Sequence, residues 1–210
     1  MEGFCRPKNG VRTFLHCLTT RAAEVGVQIA YNKEVSRIHA HNESFQSISL
    51  KSGENISAKA LYSSMGIDET NRCLDHQSPS SAVGQLGFCE CLFVTKETDS
   101  VGEKNIKDTI VFYNHAQQFT FARPKTPYST DSAVICFPHH FYSDDRPNPD
   151  EGLIRVTMLG DYQFWLETKK NNPALYKHKK QELALAAQSI LQKVYPQLKL
   201  EILFQDVFTP

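Results

Sequence analysis

His139 and His140 stand side by side in "CFPHHFY" and are the residues that most resemble metal ligands. Adjacent residues on a strand point to opposite faces, so at most one imidazole can join a given site. Neither His139 nor His140 belongs to an H-x-H or H-x-x-x-H pair, and both are expected as partly exposed sheet histidines. Asp144, Asp145, Asp150 and Glu151 gather around Pro147 and Pro149 in "SDDRPNPDEG". Their spacing does not follow the ligand series of an EF-hand, and the expectation is a solvated loop. The six cysteines, Cys5, Cys17, Cys73, Cys89, Cys91 and Cys136, are scattered along a chain long enough to do without disulfide staples, and they read as reduced thiols. Cys89 and Cys91 are two apart in "LGFCECLFV", so they share one sheet face as small residues, whereas a zinc knuckle needs a C-x-x-C pair on a turn and a second pair.

Other chemistry is equally unsupported. No G-x-S-x-G nucleophile turn and no Walker loop occurs. Lys177, Lys179 and Lys180 in "YKHKKQE" read as the wet face of an amphipathic helix. Phe119, Phe121, Phe137, Phe141, Tyr142, Phe164 and Trp165 crowd the second half, where they serve as core or line an apolar ligand pocket. With 23 basic and 23 acidic residues there is no global field to attract nucleic acid, which is not expected as a partner. No apolar run reaches the roughly 18 residues of a membrane span, and the N-terminus lacks the basic-then-apolar form of a signal peptide, so the expected setting is cytoplasmic. At 210 residues the chain can bury a substantial core.

The elements that must position these residues fall into two textures. Val11, Phe14, Leu15, Leu18 and Ala22 recur at helical spacing, which predicts one buried face, and Gly26 is placed for a left-handed cap. Val27 and Ile29 then make a short apolar strand. Residues 34–57, with the alternation "FQSISL" and the turn "KSGEN" around Gly53, predict a three-stranded antiparallel meander, followed by another short strand at Ala60–Ser63. The two flanking strands are expected to lie parallel in one sheet, with the meander replacing a crossover helix. "DETNRCL" predicts a short helix capped by Asp68. The Ser- and Pro-rich stretch "DHQSPSSAVGQ" reads as a boundary.

Beyond it "GFCECLFVTK", "TIVFYN", "QFTFARP", "SAVICFPHHFY" and "GLIRVTML" predict a second, mostly antiparallel sheet. One long helix follows over 172–195, with Asn172 as cap, Pro173 in the first turn and Leu183, Ala187, Ile190, Leu191 and Val194 on one face; Pro196 ends it, and "KLEILFQDVFTP" returns as a strand. The predicted class is α+β, with domains over 1–75 and 76–210.

The run from "GVRTFLHCLTT" to "SSMGIDET" resembles flavin-dependent oxidoreductases of the phytoene desaturase, carotenoid isomerase and retinol saturase group, among the amine oxidase-like flavoproteins. Gly10, Leu15, Leu18, Gly26, Val35, Ile38, Leu50, Gly53, Ile56 and Ala58 match that group's pattern in order. "GLIRVTMLGDYQFW", the helix ending "LQKVYPQL" and the strand ending "TP" resemble its substrate domain. The resemblance implies that residues 1–75 are part of an FAD-binding domain and 76–210 a substrate-binding domain. It further implies that the backbone of Val35 meets the adenine of FAD, that the strand end at Ser64 passes close to the cofactor, and that the substrate is an apolar polyene whose double bonds the flavin oxidises, isomerises or saturates.

The same comparison exposes departures. A dinucleotide-binding domain needs a G-x-G-x-x-G turn between strand and helix, and this sequence has none. The expectation is therefore an internal or truncated portion of a larger enzyme, or one half of a split one. It would hold an incomplete FAD site and work with a complementary chain that carries the Rossmann part, or act as a non-catalytic binding module. Unpaired sheet edges would favour homo-oligomers, and a polyene substrate would bring the protein to a membrane surface as a peripheral partner.

Overall fold

A computed structural model of the chain describes residues 7, 10–41, 44–74, 84–97, 106–141 and 148–210. Cys5, Tyr142, Asp144, Asp145, Pro147 and most of the predicted boundary stretch lie outside the described residues. The fold is α+β, with two antiparallel sheets and four α-helices among the described residues. Two compact units are present, one over Asn9–Val83 and the other built on Gly84–Pro210.

The first unit opens with helix α1 (Arg12–Glu24). Its end is a Schellman motif: the Val27 N–H donates back to the Ala22 carbonyl at 2.9 Å and the Gly26 N–H to the Ala23 carbonyl at 3.1 Å. Gly26 holds φ at +79°, the left-handed conformation that a side chain would strain. The predicted buried face is absent. No residue of α1 is buried, and Val11, Phe14, Leu15 and Leu18 are each more than half exposed.

The meander forms as read from the alternation: β1 (Val35–His41), β2 (Ser44–Leu50) and β3 (Asn55–Ser57), antiparallel in that order. Ile38, Ile48 and Ile56 stand opposite one another across the three strands, and Ile38 and Leu50 are the buried centre. The flanking strands are corrected. Neither Val27–Ala30 nor Ala60–Ser63 belongs to a sheet, because no strand among the described residues offers either one a ladder of hydrogen bonds. Helix α2 (Ile67–Cys73) starts one residue earlier than predicted. Gly66 takes the cap position, and Asp68 joins Glu69 in the first turn, where a carboxylate favours the helix dipole.

The second unit is a five-stranded antiparallel sheet: β4 (Leu86–Lys96), β5 (Ile110–Asn114), β6 (Ser132–Cys136), β7 (Glu151–Asp161) and β8 (Ile202–Phe208), in the order β5-β6-β7-β4-β8. Its register places Val111, Ile135, Val156, Cys91 and Val207 in one row across all five strands. That side of the sheet is covered by helices α3 (Tyr162–Asn171) and α4 (Pro173–Val194), through Trp165, Leu183, Ala187, Ile190 and Leu191. Each of the buried leucine and isoleucine side chains, fully removed from water, contributes about 1.5–3 kcal/mol. Asn172 Oδ1 accepts from the Leu175 N–H at 3.1 Å, as its placement before Pro173 predicts. The helix α3 is an addition to the predicted single long helix; Asp161 caps it, its Oδ1 accepting from the Phe164 N–H at 3.2 Å.

Two further predicted strands are corrected. "QFTFARP" contributes no strand. After Cys136 the chain turns at Pro138 into a short 3-10 helix over Pro138–Phe141, so the two histidines sit on a turn and not on a strand. No helix among the described residues is long and apolar enough to cross a membrane.

Candidate functional site

The next row of the large sheet, one residue along each strand, runs Phe112, Val134, Thr157, Glu90 and Phe208. Strand alternation turns it to the side opposite the helices. Phe88, paired with Leu159, points the same way. Phe88, Phe112, Val134, Thr157 and Leu159 line a cavity of about 360 Å³ whose walls include Phe119 and Phe121. Phe88, Phe112, Phe119 and Phe121 are each more than half exposed, which for four clustered phenylalanines marks a binding surface and not a core. The rings of Phe88 and Phe121 lie 6.2 Å apart, and those of Phe119 and Phe121 6.5 Å apart.

Residues 118–122 separate this cavity from a second one of about 270 Å³. Phe119 and Phe121 face the apolar cavity, whereas Gln118, Thr120 and Ala122 face the polar one. The segment therefore keeps the period-two alternation of a strand. It lacks the ladder: among the described residues no backbone hydrogen bond reaches Gln117–Ala122 beyond the Asn114 amide on the Ala116 carbonyl just before it. Asn114, Ser132 and Leu159 line both cavities, so the two adjoin at these residues.

One ion pair interrupts the apolar face. The Arg155 guanidinium donates to Glu90 Oε2, and the Thr157 hydroxyl donates to the same oxygen at 3.2 Å. Glu90 raises the affinity of Arg155 for its proton chiefly through this hydrogen bond. On the polar side Arg123 is fixed by Asp161, its Nε donating to Oδ2 at 3.0 Å, and by Gln85 Oε1 at 2.5 Å.

The remaining sequence candidates resolve individually. Cys89 and Cys91 do share a face and are fully buried against the helices; burial pushes both thiols up to about 12, far from the range of a nucleophile or metal ligand. His139 Nδ1 is 3.0 Å from the Glu151 carbonyl oxygen, and His140 Nδ1 is 2.7 Å from that of Asp108. The His140 ring stacks on Phe137, with centroids 5.3 Å apart. No group of three metal-ligating side chains occurs among the described residues. Phe137 and Trp165 are core, while Phe119 and Phe121 line the pocket. Lys179 pairs with Glu182 at 2.7 Å on the wet face of α4.

In the first unit Val35 begins β1, half-buried, with the Cys73 thiol 3.9 Å from its carbonyl oxygen. Ser64 lies exposed in irregular chain two residues before Gly66. Its neighbour Ser63 is held by a 2.7 Å hydrogen bond to Thr70 of α2. Val35 and Ser64 thus lie toward opposite ends of α2, whose seven residues rise about 10 Å. Sequence reasoning missed Phe88 and Phe112 as pocket residues, although their alternation with Cys89 and Val111 was a usable signal.

No protein-family model matches the chain, and no curated protein sequence matches it significantly. Among solved structures, the crystal structure of an oxidoreductase from Methanosarcina mazei is similar over 97% of this chain, with a TM-score of 0.57 and 12% identity. The similar region covers 43% of that protein, so this chain spans less than half the length of its structural neighbour. At this identity the likeness is one of fold: the chain shares the fold of part of that protein.

Proposed function

We propose that this chain is the substrate-binding part, with a minority of the cofactor site, of a flavin-dependent oxidoreductase acting on the double bonds of an apolar polyene, as in the phytoene desaturase and retinol saturase group. The observation that carries this reading is the phenylalanine-lined cavity on the helix-free face of the large sheet. A site lined in this way favours a flat apolar ligand through ring contacts and burial, with few polar demands.

The fit to FAD is partial. The Val35 backbone would meet the adenine and Ser64 would lie close to the cofactor, but the sequence supplies no glycine-rich turn for a pyrophosphate. Bound flavin would supply the two-electron chemistry. The residues here would bind and orient the polyene and exclude water from it. A complementary chain carrying the Rossmann segment would complete the cofactor site.

The test is retention of an apolar polyene by the purified protein through gel filtration, read by polyene absorbance, with Phe121→Ala as the pocket variant. Co-elution that the variant reduces several-fold supports the reading, and no co-elution overturns it. Added FAD is expected to be lost on desalting. Near-stoichiometric flavin retained by this chain alone would overturn the partial cofactor site. The absence of a glycine-rich turn from the sequence also favours a second reading, a non-catalytic ligand-binding module. Polyene retention without turnover, even with the complementary chain and FAD supplied, would decide for it.

A further inference from the structure

The inference rests on the proposed apolar ligand and concerns its other end. We propose that the ligand is a carboxylate amphiphile, with its apolar body among the phenylalanines and its carboxylate in the adjoining polar cavity beside Lys125. Asn114, Ser132 and Leu159 line both cavities, so the two adjoin there, and the proposed ligand, of sufficient length, lies across that shared edge and not across the wall at 118–122. A purely hydrocarbon ligand would leave the polar cavity to water. An amphiphile fills both.

The charges choose the head. Arg123 and Lys125 line the polar cavity with Asp131. Arg123 is already compensated by Asp161 at 3.0 Å. Lys125 has no carboxylate within ion-pair distance among the described residues and is the cation left to a ligand. A carboxylate accepts hydrogen bonds and donates none, and the Gln118 amide and Ser132 hydroxyl add donors around the same space. Charge-assisted bonds of this kind are stronger than neutral ones. Asp131 is the counterweight, which gives the proposal a second, oppositely signed prediction.

The experiment titrates the full chain with a conjugated tetraene fatty acid and with its methyl ester, both fluorescent on leaving water. The acid is expected to bind about tenfold more tightly than the ester. Lys125→Gln should remove that preference and leave ester binding unchanged, Asp131→Asn should strengthen acid binding only, and Phe121→Ala should weaken both probes alike. Equal binding of acid and ester, insensitive to Lys125→Gln, would overturn the carboxylate head and leave the apolar-cavity reading standing. If neither probe binds, the apolar-cavity reading falls, and this inference with it.

Discussion

The indole N–H of Trp165 donates to the carbonyl oxygen of Pro127 at 2.9 Å, so a helix packed on one side of the large sheet holds the loop that carries Lys125 and Thr126. Trp165 is fully buried, and its ring meets Tyr176 edge-on at 5.8 Å. Replacement by phenylalanine keeps an aromatic ring but leaves the Pro127 carbonyl without this donor and opens a void. The expected cost is about 2 kcal/mol. Differential scanning calorimetry should show the unfolding midpoint falling by about 4–8 °C; an unchanged midpoint would show that the bond contributes nothing.

The buried thiols make a prediction about alkali. Burial raises the Cys89 and Cys91 thiols from about 9 to about 12, with the nearby Trp165 indole opposing it at Cys89. Below pH 9 they are protonated in both folded and unfolded chains, and their contribution to stability is complete. As pH rises from about 9 toward 12 the unfolded chain ionises first, and that contribution is lost. Unfolding by denaturant should therefore become easier over this window. At pH 8, iodoacetamide should label the exposed Cys17 in the native protein and spare Cys89 and Cys91 until denaturant is added. Peptide mass spectrometry reads this directly, and prompt native labelling of Cys91 would contradict the packing described.

The unladdered apolar segments of the first unit should drive association. Val27 and Ile29 are about half exposed in a stretch of chain with the alternation of a strand and, among the described residues, no partner strand. Such an edge pairs readily with another chain, and lysine blocks it. The double substitution Val27→Lys, Ile29→Lys is expected to lower the sedimentation-average mass at micromolar concentrations and to leave the unfolding midpoint unchanged. Association that persists undiminished would place the self-contact elsewhere.

Local chemistry made much of the fold legible. Asn172 followed by Pro173 and an apolar four-residue spacing marked α4, and Gly26 marked the end of α1 down to its hydrogen bonds. The meander followed from alternation and the turn at Gly53. What escaped was whatever depends on a partner. The stripe Phe14, Leu15, Leu18 predicts that a face wants covering, but periodicity does not say what covers it, and here α1 stays bare. "QFTFA" alternates as a strand must, yet a ladder also requires a neighbour, and that segment became a wall. The histidine pair was misplaced because β6 ends at Cys136 and Pro138 opens a 3-10 turn. Helix α3 was passed over although Asp161 stands where a cap belongs, since the apolar strand before it runs directly into the helix.

The partition at 118–122 gives a lineage two independent adjustments on five residues. Changes at 119 and 121 alter what fits on the ring side, while changes at 118, 120 and 122 alter what is tolerated on the polar side. Because neither set supports a ladder or the helix-covered core, both can drift at small cost to folding. A family of such proteins could therefore change ligand preference by point substitutions in this one segment while the sheet beneath it stays the same.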